Sequence, residues 1–201
     1  MSGSKKAIGI FGGYDALPDS PLYKLAYQVG YELARAGFVV LNGGYDGIMA
    51  ASSKGARDAG GRTVGVTCPT VLIKRGPDFT HNEFLDEVIE APNLFERIEI
   101  MMHRCGGYVF MRGGTGTLSE LGMIWEYVNK GFIRPRPVVL VGDFWRPTVE
   151  AIASTRRGAD RHIHFCQSAV EVAATMTAHA VRPDAQPRAQ TRQVPDGRPT
   201  T

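Results

Sequence analysis

The most constraining feature of the chain is a glycine-rich segment that begins at Met111 and ends at Glu120. The apolar run Tyr108–Met111 at its start predicts a short buried strand, because β-branched and aromatic residues favour strands. Helical spacing of apolar residues follows the glycines, at Leu118, Leu121, Trp125 and Val128. A glycine turn between a strand and a helix lets a ligand approach the backbone, where the first N–H groups of the helix lack internal partners. The segment therefore predicts a phosphate-binding turn formed by Gly113, Gly114, Thr115, Gly116 and Thr117.

Glu120 adds a carboxylate to this segment, in the predicted first turn of the helix, where a phosphate would also lie. A structural role explains it simply, since the helix dipole favours a negative charge near the N-terminus. The spacing alone does not separate this interpretation from a functional one.

Strand and helix signals alternate along the rest of the sequence. The predicted strands are Ala7–Phe11, Phe38–Leu41, Thr63–Thr67, Glu87–Ala91, Pro137–Val141 and His162–Phe165, and the predicted helix caps are Ser20, Asn93 and Ser168. This alternation predicts a single α/β domain, doubly wound, with a mostly parallel sheet and helices on both faces. The domain is expected to span residues 1–180, with a disordered Pro-, Gln- and Arg-rich tail at 181–201. Cys68–His81 is interpreted as a mobile surface loop, with a lid as one role.

Three predicted strands end in a pair of glycines. The pairs are Gly12 and Gly13, Gly43 and Gly44, and Gly113 and Gly114. One pair alone is typical of a tight turn, but the carboxyl ends of parallel strands share one edge of a sheet, where doubly wound folds bind ligands. The three pairs therefore predict a crevice with a floor of bare backbone. A nicotinamide dehydrogenase is not favoured, because Ser119 stands where the third glycine of a dinucleotide fingerprint would fall.

The composition limits the class of protein and its partners. The 201 residues are 43% hydrophobic, enough for one well-packed domain, and the net charge of +3 is too balanced to favour nucleic acid. Three widely spaced cysteines predict reduced thiols in a cytosolic protein, and no apolar run approaches the roughly 20 residues of a membrane span. We therefore expect a cytoplasmic protein without nucleic-acid or membrane partners. The histidines lack metal-ligand spacing, so no metal and no cofactor is predicted.

The helix that begins after Asn93 leads directly into the strand before the glycine turn. Its apolar stripe consists of Leu94, Ile98, Met101, Met102 and Cys105. Arg97 lies on the flank of this stripe, half shielded. A flanking arginine commonly lies along the surface, but from this position Arg97 could also face a phosphate or carboxylate bound at the glycine turn. Met101 is included among the predicted nucleotide-binding residues.

These residues resemble a known family, the cytokinin-activating Lonely Guy (LOG) proteins, which were long mislabelled as lysine decarboxylases. The segment Gly113–Glu120 matches the family motif Pro-Gly-Gly-x-Gly-Thr-x-x-Glu, with Arg112 at the position of the proline. Arg97 stands fifteen positions before Arg112, as the family's helical arginine does. The segment Asn42–Met49 is similar to the family's second glycine loop. The resemblance covers roughly Ala7–Val141.

The resemblance implies a Rossmann-like fold and a homodimer or larger assembly. It also implies a hydrolase that cleaves a nucleoside 5′-monophosphate, such as AMP or a cytokinin riboside monophosphate, to the free base and ribose 5-phosphate. Arg97 and Glu120 match the family's catalytic residues. No lysine is marked as a pyridoxal Schiff-base residue, so decarboxylation is not supported.

A second hypothesis is a protein that binds a nucleotide or the molybdenum cofactor in the same crevice without turnover, because carriers of that cofactor resemble this family closely. Retention of Arg97 and Glu120 favours the enzyme. Arg112 in place of proline, and Ile98 in place of the lysine common in the family, favour the carrier.

Overall fold

The computed structural model describes residues 6–69 and 81–182, which alternate between strand and helix. The strands are β1 (Ala7–Phe11), β2 (Val39–Asn42), β3 (Thr63–Thr67), β4 (Glu87–Glu90), β5 (Cys105–Phe110), β6 (Val138–Val141) and β7 (Ile163–Cys166). The helices are α1 (Pro21–Arg35), α2 (Ile48–Asp58), α3 (Leu94–Arg104), α4 (Thr115–Lys130), α5 (Arg146–Ala153) and α6 (Ala169–His179).

The strands form one parallel sheet in the order β4-β3-β2-β1-β5-β6-β7. The chain adds strands outward from β1 to β4, then returns and adds β5 to β7 on the other side of β1. This order is that of a doubly wound, Rossmann-like sheet, whose winding reverses between β1 and β5. The predicted fold class is confirmed.

Alternating side chains of the strands face two separate apolar layers. On β5, Val109 contributes to one layer, while Tyr108 and Phe110 contribute to the other. The first layer contains residues of α1, α2 and α6, and the second contains residues of α3, α4 and α5. Helices on both faces bury the central strands completely, which explains their continuous apolar runs.

Side-chain caps begin three helices at the predicted residues. The Ser20 hydroxyl accepts a hydrogen bond from the Tyr23 amide (3.2 Å), and the Ser168 hydroxyl accepts one from the Glu171 amide (3.3 Å). The Asn93 side chain accepts from the amides of Phe95 and Glu96. These caps satisfy amides that have no partner within the helix.

Strand β5 begins at Cys105, three residues before the predicted start. The difference arises at Gly106, where the missing side chain lets the chain after α6 approach. The Val181 amide donates a hydrogen bond to the Gly106 carbonyl oxygen (3.0 Å), so the fold extends at least to Val181. The remainder of the predicted tail, 183–201, and residues 70–80 of the predicted lid lie outside the described residues.

Within residues 6–69 and 81–182, no helix has both the length and the apolar character that a membrane crossing requires.

Helices α1 and α2 cross at very short distance because each presents a glycine to the other. A Cβ on Gly30 would overlap the Ser52 carbonyl oxygen, and one on Gly55 would overlap the Tyr27 carbonyl oxygen. Backbone lies against backbone here, so neither contact can be relieved by a side-chain rotation.

We expect Gly30→Ala to lower the free energy of unfolding by about 2 kcal/mol or more, because overpacking forces the two backbones apart. Gly122→Ala is the matched control, since Gly122 also lies within a helix but, apart from the backbone of that helix, no atom of the described residues lies within 4 Å of its Cβ position. The control should gain up to about 1 kcal/mol from helix propensity. Urea unfolding measures both, and equal stability of the two variants would contradict the proposed contact.

Candidate active site

The three glycine pairs follow β2, β1 and β5, which are neighbours in the sheet. The predicted grouping at one edge is therefore confirmed. Backbone hydrogen bonds join the loops: the Gly13 amide donates to the Arg112 carbonyl oxygen, and the Ile48 amide donates to the Gly13 carbonyl oxygen, both at 3.0 Å. This edge lies where the winding of the sheet reverses, the usual ligand position in doubly wound folds.

A cavity of about 780 Å³ opens at this edge. Nine of the predicted site residues line it: Gly12, Gly13, Gly43, Arg97, Gly114, Thr115, Gly116, Thr117 and Glu120. The volume suits a ligand of nucleotide size.

Three predicted binding residues lie outside the cavity lining. Met101 is 0% exposed and packs in the apolar layer with α4. Gly44 adopts a φ of 79°, so it provides the left-handed turn after β2. Gly113 packs within the loop, because a Cβ there would overlap the Thr117 hydroxyl. These three residues therefore support the residues that line the cavity and do not line it themselves.

The N-terminus of α4 forms one wall of the cavity. Gly114 occupies the cap position and Thr115 begins the helix. Among the described residues, no atom lies within 4 Å of the Cβ positions of Gly114 and Gly116, so the space above them is open. Backbone amides, the helix dipole and two threonine hydroxyls together make a wall that can bind a phosphate.

Glu120 lies in the second turn of α4 and not in the first turn as predicted, because the helix begins at Thr115. The side chain cannot serve as a simple N-terminal carboxylate from this position. Only 9% of the residue is exposed, and it borders the cavity. The interpretation of Glu120 as a simple N-terminal carboxylate is therefore wrong, and a carboxylate buried at this position requires a partner.

Arg97 is that partner. It is 6% exposed, and its Nη1 donates to Glu120 Oε1 at 3.2 Å. The Nε atom donates to the Val66 carbonyl oxygen at 2.7 Å, which ties α3 to β3. The flank of the helix on which Arg97 was predicted to lie therefore faces the interior of the protein. A Cβ on Gly43 would overlap Arg97 Nη2, so this glycine makes room for the guanidinium.

Burial raises the pKa of the Glu120 carboxyl above its usual value, and the Arg97 charge and hydrogen bond offset part of this effect. The carboxyl therefore takes up a proton at a higher pH than an exposed glutamate would. A group of this kind can stabilise positive charge when ionised, or exchange a proton with a ligand.

The sequence analysis missed residues that also line the cavity, among them Tyr14, Asp15 and Tyr45. A signal for them exists, because the tetrapeptide Gly-Gly-Tyr-Asp occurs at 12–15 and again at 43–46. Each copy follows a neighbouring central strand.

No metal cluster accompanies these groups: within the described ranges, no three His, Cys, Asp or Glu side chains are grouped so that they could hold a metal ion.

Comparison with known proteins identifies the family. Residues 5–170 match the model of the SLOG cluster4 family (LDcluster4), and the chain therefore belongs to this family. The predicted resemblance to LOG proteins is confirmed.

Three similar proteins illustrate the range of the match. A protein of Archaeoglobus fulgidus without an assigned function is 33% identical over 135 residues, which cover 67% of this chain and 83% of that one. The cytokinin riboside 5′-monophosphate phosphoribohydrolase of Mycobacterium tuberculosis is 35% identical over 127 residues, 62% of this chain and slightly under two thirds (64%) of the enzyme. The molybdenum cofactor binding protein of Rippkaea orientalis superposes with a TM-score of 0.66 and 26% identity, covering 87% of this chain and 96% of that structure.

We expect Gly43→Ala to raise the pKa of the Glu120 carboxyl further, because the new methyl group displaces the guanidinium that offsets the effect of burial. A ¹³C NMR titration of the carboxyl measures this shift. Gly122→Ala should leave the titration unchanged, since its methyl group points into open space. A wild-type titration curve in Gly43→Ala would show that Arg97 does not depend on this glycine.

Proposed function

We propose that the protein hydrolyses the N-glycosidic bond of a nucleoside 5′-monophosphate, AMP-like or a cytokinin riboside monophosphate, to the free base and ribose 5-phosphate. One observation carries the proposal: the buried Arg97–Glu120 pair borders the same cavity as the open N-terminus of α4. A carboxylate and a phosphate-binding wall are the two groups that this reaction needs. The similarity to the mycobacterial phosphoribohydrolase supports the same reaction.

The chemistry explains the role proposed for Glu120. Cleavage builds positive charge on the ribose ring as the base leaves, as in glycoside hydrolysis. An ionised Glu120 beside the ring stabilises this charge or takes a proton from the attacking water. Water adds its hydroxyl to the anomeric carbon, and its proton ends on the departing base. Arg97 holds the carboxylate in place and favours its ionised form.

The phosphate is proposed to bind at Gly114, Thr115, Gly116 and Thr117. It lies far from the bond that breaks, so its binding energy orients the ribose against Glu120. A nucleoside that lacks the phosphate loses this orientation.

A carrier of nucleotide or molybdenum cofactor is the second candidate. Two observations favour it: the structural similarity to the Rippkaea orientalis protein, and Arg112 and Ile98 at motif positions where the resemblance implies proline and lysine. The carrier would use the same cavity without requiring the charge of Glu120.

Incubation with a panel of nucleoside monophosphates, scored by chromatography for free base and ribose 5-phosphate, tests the proposal. We expect release of base from AMP-like substrates and almost none from the matching nucleosides, because the phosphate provides the orientation. Equal rates on adenosine and AMP would contradict the proposal that the bound phosphate orients the ribose. Tight nucleotide binding without turnover would favour the carrier.

We expect Glu120→Gln to lower kcat at least about 10²-fold while a phosphate-bearing product still binds, because the amide keeps the shape but lacks the charge. Glu126→Gln is the matched control, an exposed glutamate on the same helix that pairs only with Lys130 among the described residues. If the Glu120→Gln variant is less stable but turns over at the wild-type rate, Glu120 has a structural role and not a catalytic one.

We also propose that the protein forms a homodimer through the start of α3 and the adjoining part of α4. Phe95 is 75% exposed, and Leu94 and Leu118 are nearly half exposed, although all three are large and apolar. Leu94 also lines the cavity, so this surface continues into the site. The Arg97–Glu120 pair joins these two helices, and large exposed apolar side chains beside such a contact mark an association surface.

Sedimentation should give twice the 21.9 kDa monomer mass at micromolar concentration. We expect Phe95→Ser to shift the protein toward monomer, because it removes the most exposed apolar side chain of this surface. Phe132→Ser is the control, since Phe132 is also exposed but follows the opposite end of α4. A wild-type monomer, or equal dissociation of both variants, contradicts the proposed surface.

A further inference from the structure

Tyr45 lies in the wall of the cavity, directly after the glycine pair that follows β2. It is 4% exposed, and its ring centroid lies 5.5 Å from Arg97 Cζ. An aromatic face within about 6 Å attracts a guanidinium, and the attraction is stronger where water is excluded. The ring therefore contacts the same cation that holds Glu120.

Hydrogen bonds hold Tyr45 at its hydroxyl and at its backbone carbonyl. Its hydroxyl accepts a hydrogen bond from the Cys68 amide (2.9 Å) and donates one to the Cys68 carbonyl oxygen (3.2 Å). Its own carbonyl oxygen accepts from Asn82 Nδ2 (3.0 Å). With its hydroxyl bonded to Cys68 and its backbone carbonyl bonded to Asn82, the residue has little freedom to rotate its ring away, so the ring face presents a fixed surface.

The end of β3 holds both members of this contact. The Val66 carbonyl oxygen accepts from Arg97 Nε, and Cys68, two residues later, binds the Tyr45 hydroxyl. Three contacts therefore orient the guanidinium. Val66 accepts a hydrogen bond from Nε, Glu120 accepts one from Nη1, and the Tyr45 ring lies near Cζ. Since Arg97 makes only one contact with Glu120, at 3.2 Å, its direction depends on these other contacts.

We propose that Tyr45 is a positioning residue, whose ring, anchored on Cys68, holds the Arg97 guanidinium against the Glu120 carboxylate in the arrangement that cleaves the glycosidic bond. The inference rests on the proposed function, and it adds a residue from outside the glycine motif. Tyr45 acts through Arg97 and does not exchange a proton itself, because its hydroxyl is already bonded to Cys68.

Three substitutions at this position separate the ring from the hydroxyl. Tyr45→Phe keeps the aromatic face and loses the anchor, so we expect kcat to stay within about threefold of wild type. Tyr45→Leu removes the face, and kcat should fall about tenfold with little change in KM, because substrate binding uses other groups. Tyr45→pentafluorophenylalanine keeps the shape of Phe but reverses the charge of the face, and it should lower kcat at least as much as Tyr45→Leu.

A second readout does not depend on turnover. The carboxyl of Glu120, followed by ¹³C NMR, should titrate at higher pH in the Leu and pentafluorinated variants, because the offsetting guanidinium is less well held. Tyr31→Leu, an aromatic residue of α1 that does not line the cavity, should leave the titration unchanged. If wild type cleaves no nucleotide, the proposed function fails, and the titration alone decides the role of Tyr45.

Lowered kcat and a raised Glu120 titration in the two variants without an attractive face support the inference. A purely structural Tyr45 lowers the melting temperature and leaves kcat and the titration at wild-type values. If Tyr45→Leu does not fold, the comparison of Tyr45→Phe with its pentafluorinated counterpart decides, and equal values for those two overturn the proposal.

Discussion

The site depends on one buried ion pair, Arg97 with Glu120. Removing two charges from water costs several kcal/mol for each ion, and their attraction offsets this only with good geometry and further hydrogen bonds. The surroundings supply these conditions from separate parts of the chain. Val66 accepts from Arg97, Tyr45 faces it, and Gly43 leaves the space that the guanidinium fills. The pair is therefore a product of the whole β2–β3–α3–α4 assembly.

Glycine serves two opposite purposes at this edge of the sheet. Gly12, Gly13 and Gly113 let neighbouring segments pack closely: a Cβ on Gly12 would press on the Ile48 side chain, and one on Gly113 would meet the Thr117 side chain. Gly114 and Gly116 instead leave space open on the cavity side. The first group makes the loops rigid, and the second admits a ligand. A rigid wall around an open space is what preorganised binding requires.

Much of this arrangement could be predicted from local sequence. Apolar runs predicted the strands, and capping residues predicted the helix starts at Ser20, Asn93 and Ser168. Because the carboxyl ends of parallel strands lie at one edge of the sheet, the glycine pairs were predicted to lie close together. The start of α4 was placed too late because its cap is Gly114, which carries no side-chain signal. This error put Glu120 in the wrong turn.

Other features depend on contacts between distant residues, which a local pattern does not encode. The burial of Arg97 follows from β3, which is 31 positions away at Val66. Helical periodicity placed Arg97 at the edge of the apolar stripe, but it could not show that a neighbouring strand covers that edge. Met101 shows the converse, since its position on the same helix directs it into the core. The repeated Gly-Gly-Tyr-Asp tetrapeptide marks Tyr14, Asp15 and Tyr45 in the sequence, but their place in the cavity lining depends on how the loops meet.

The overlap between Gly43 and Arg97 has an evolutionary consequence. A side chain at position 43 and a guanidinium at position 97 compete for one volume, so a lineage cannot acquire the first while keeping the second in place. A larger residue at position 43 displaces the guanidinium, whichever of the two positions changes first. Among descendants of a common ancestor, a larger residue at position 43 should therefore mark chains whose site has abandoned the ion pair.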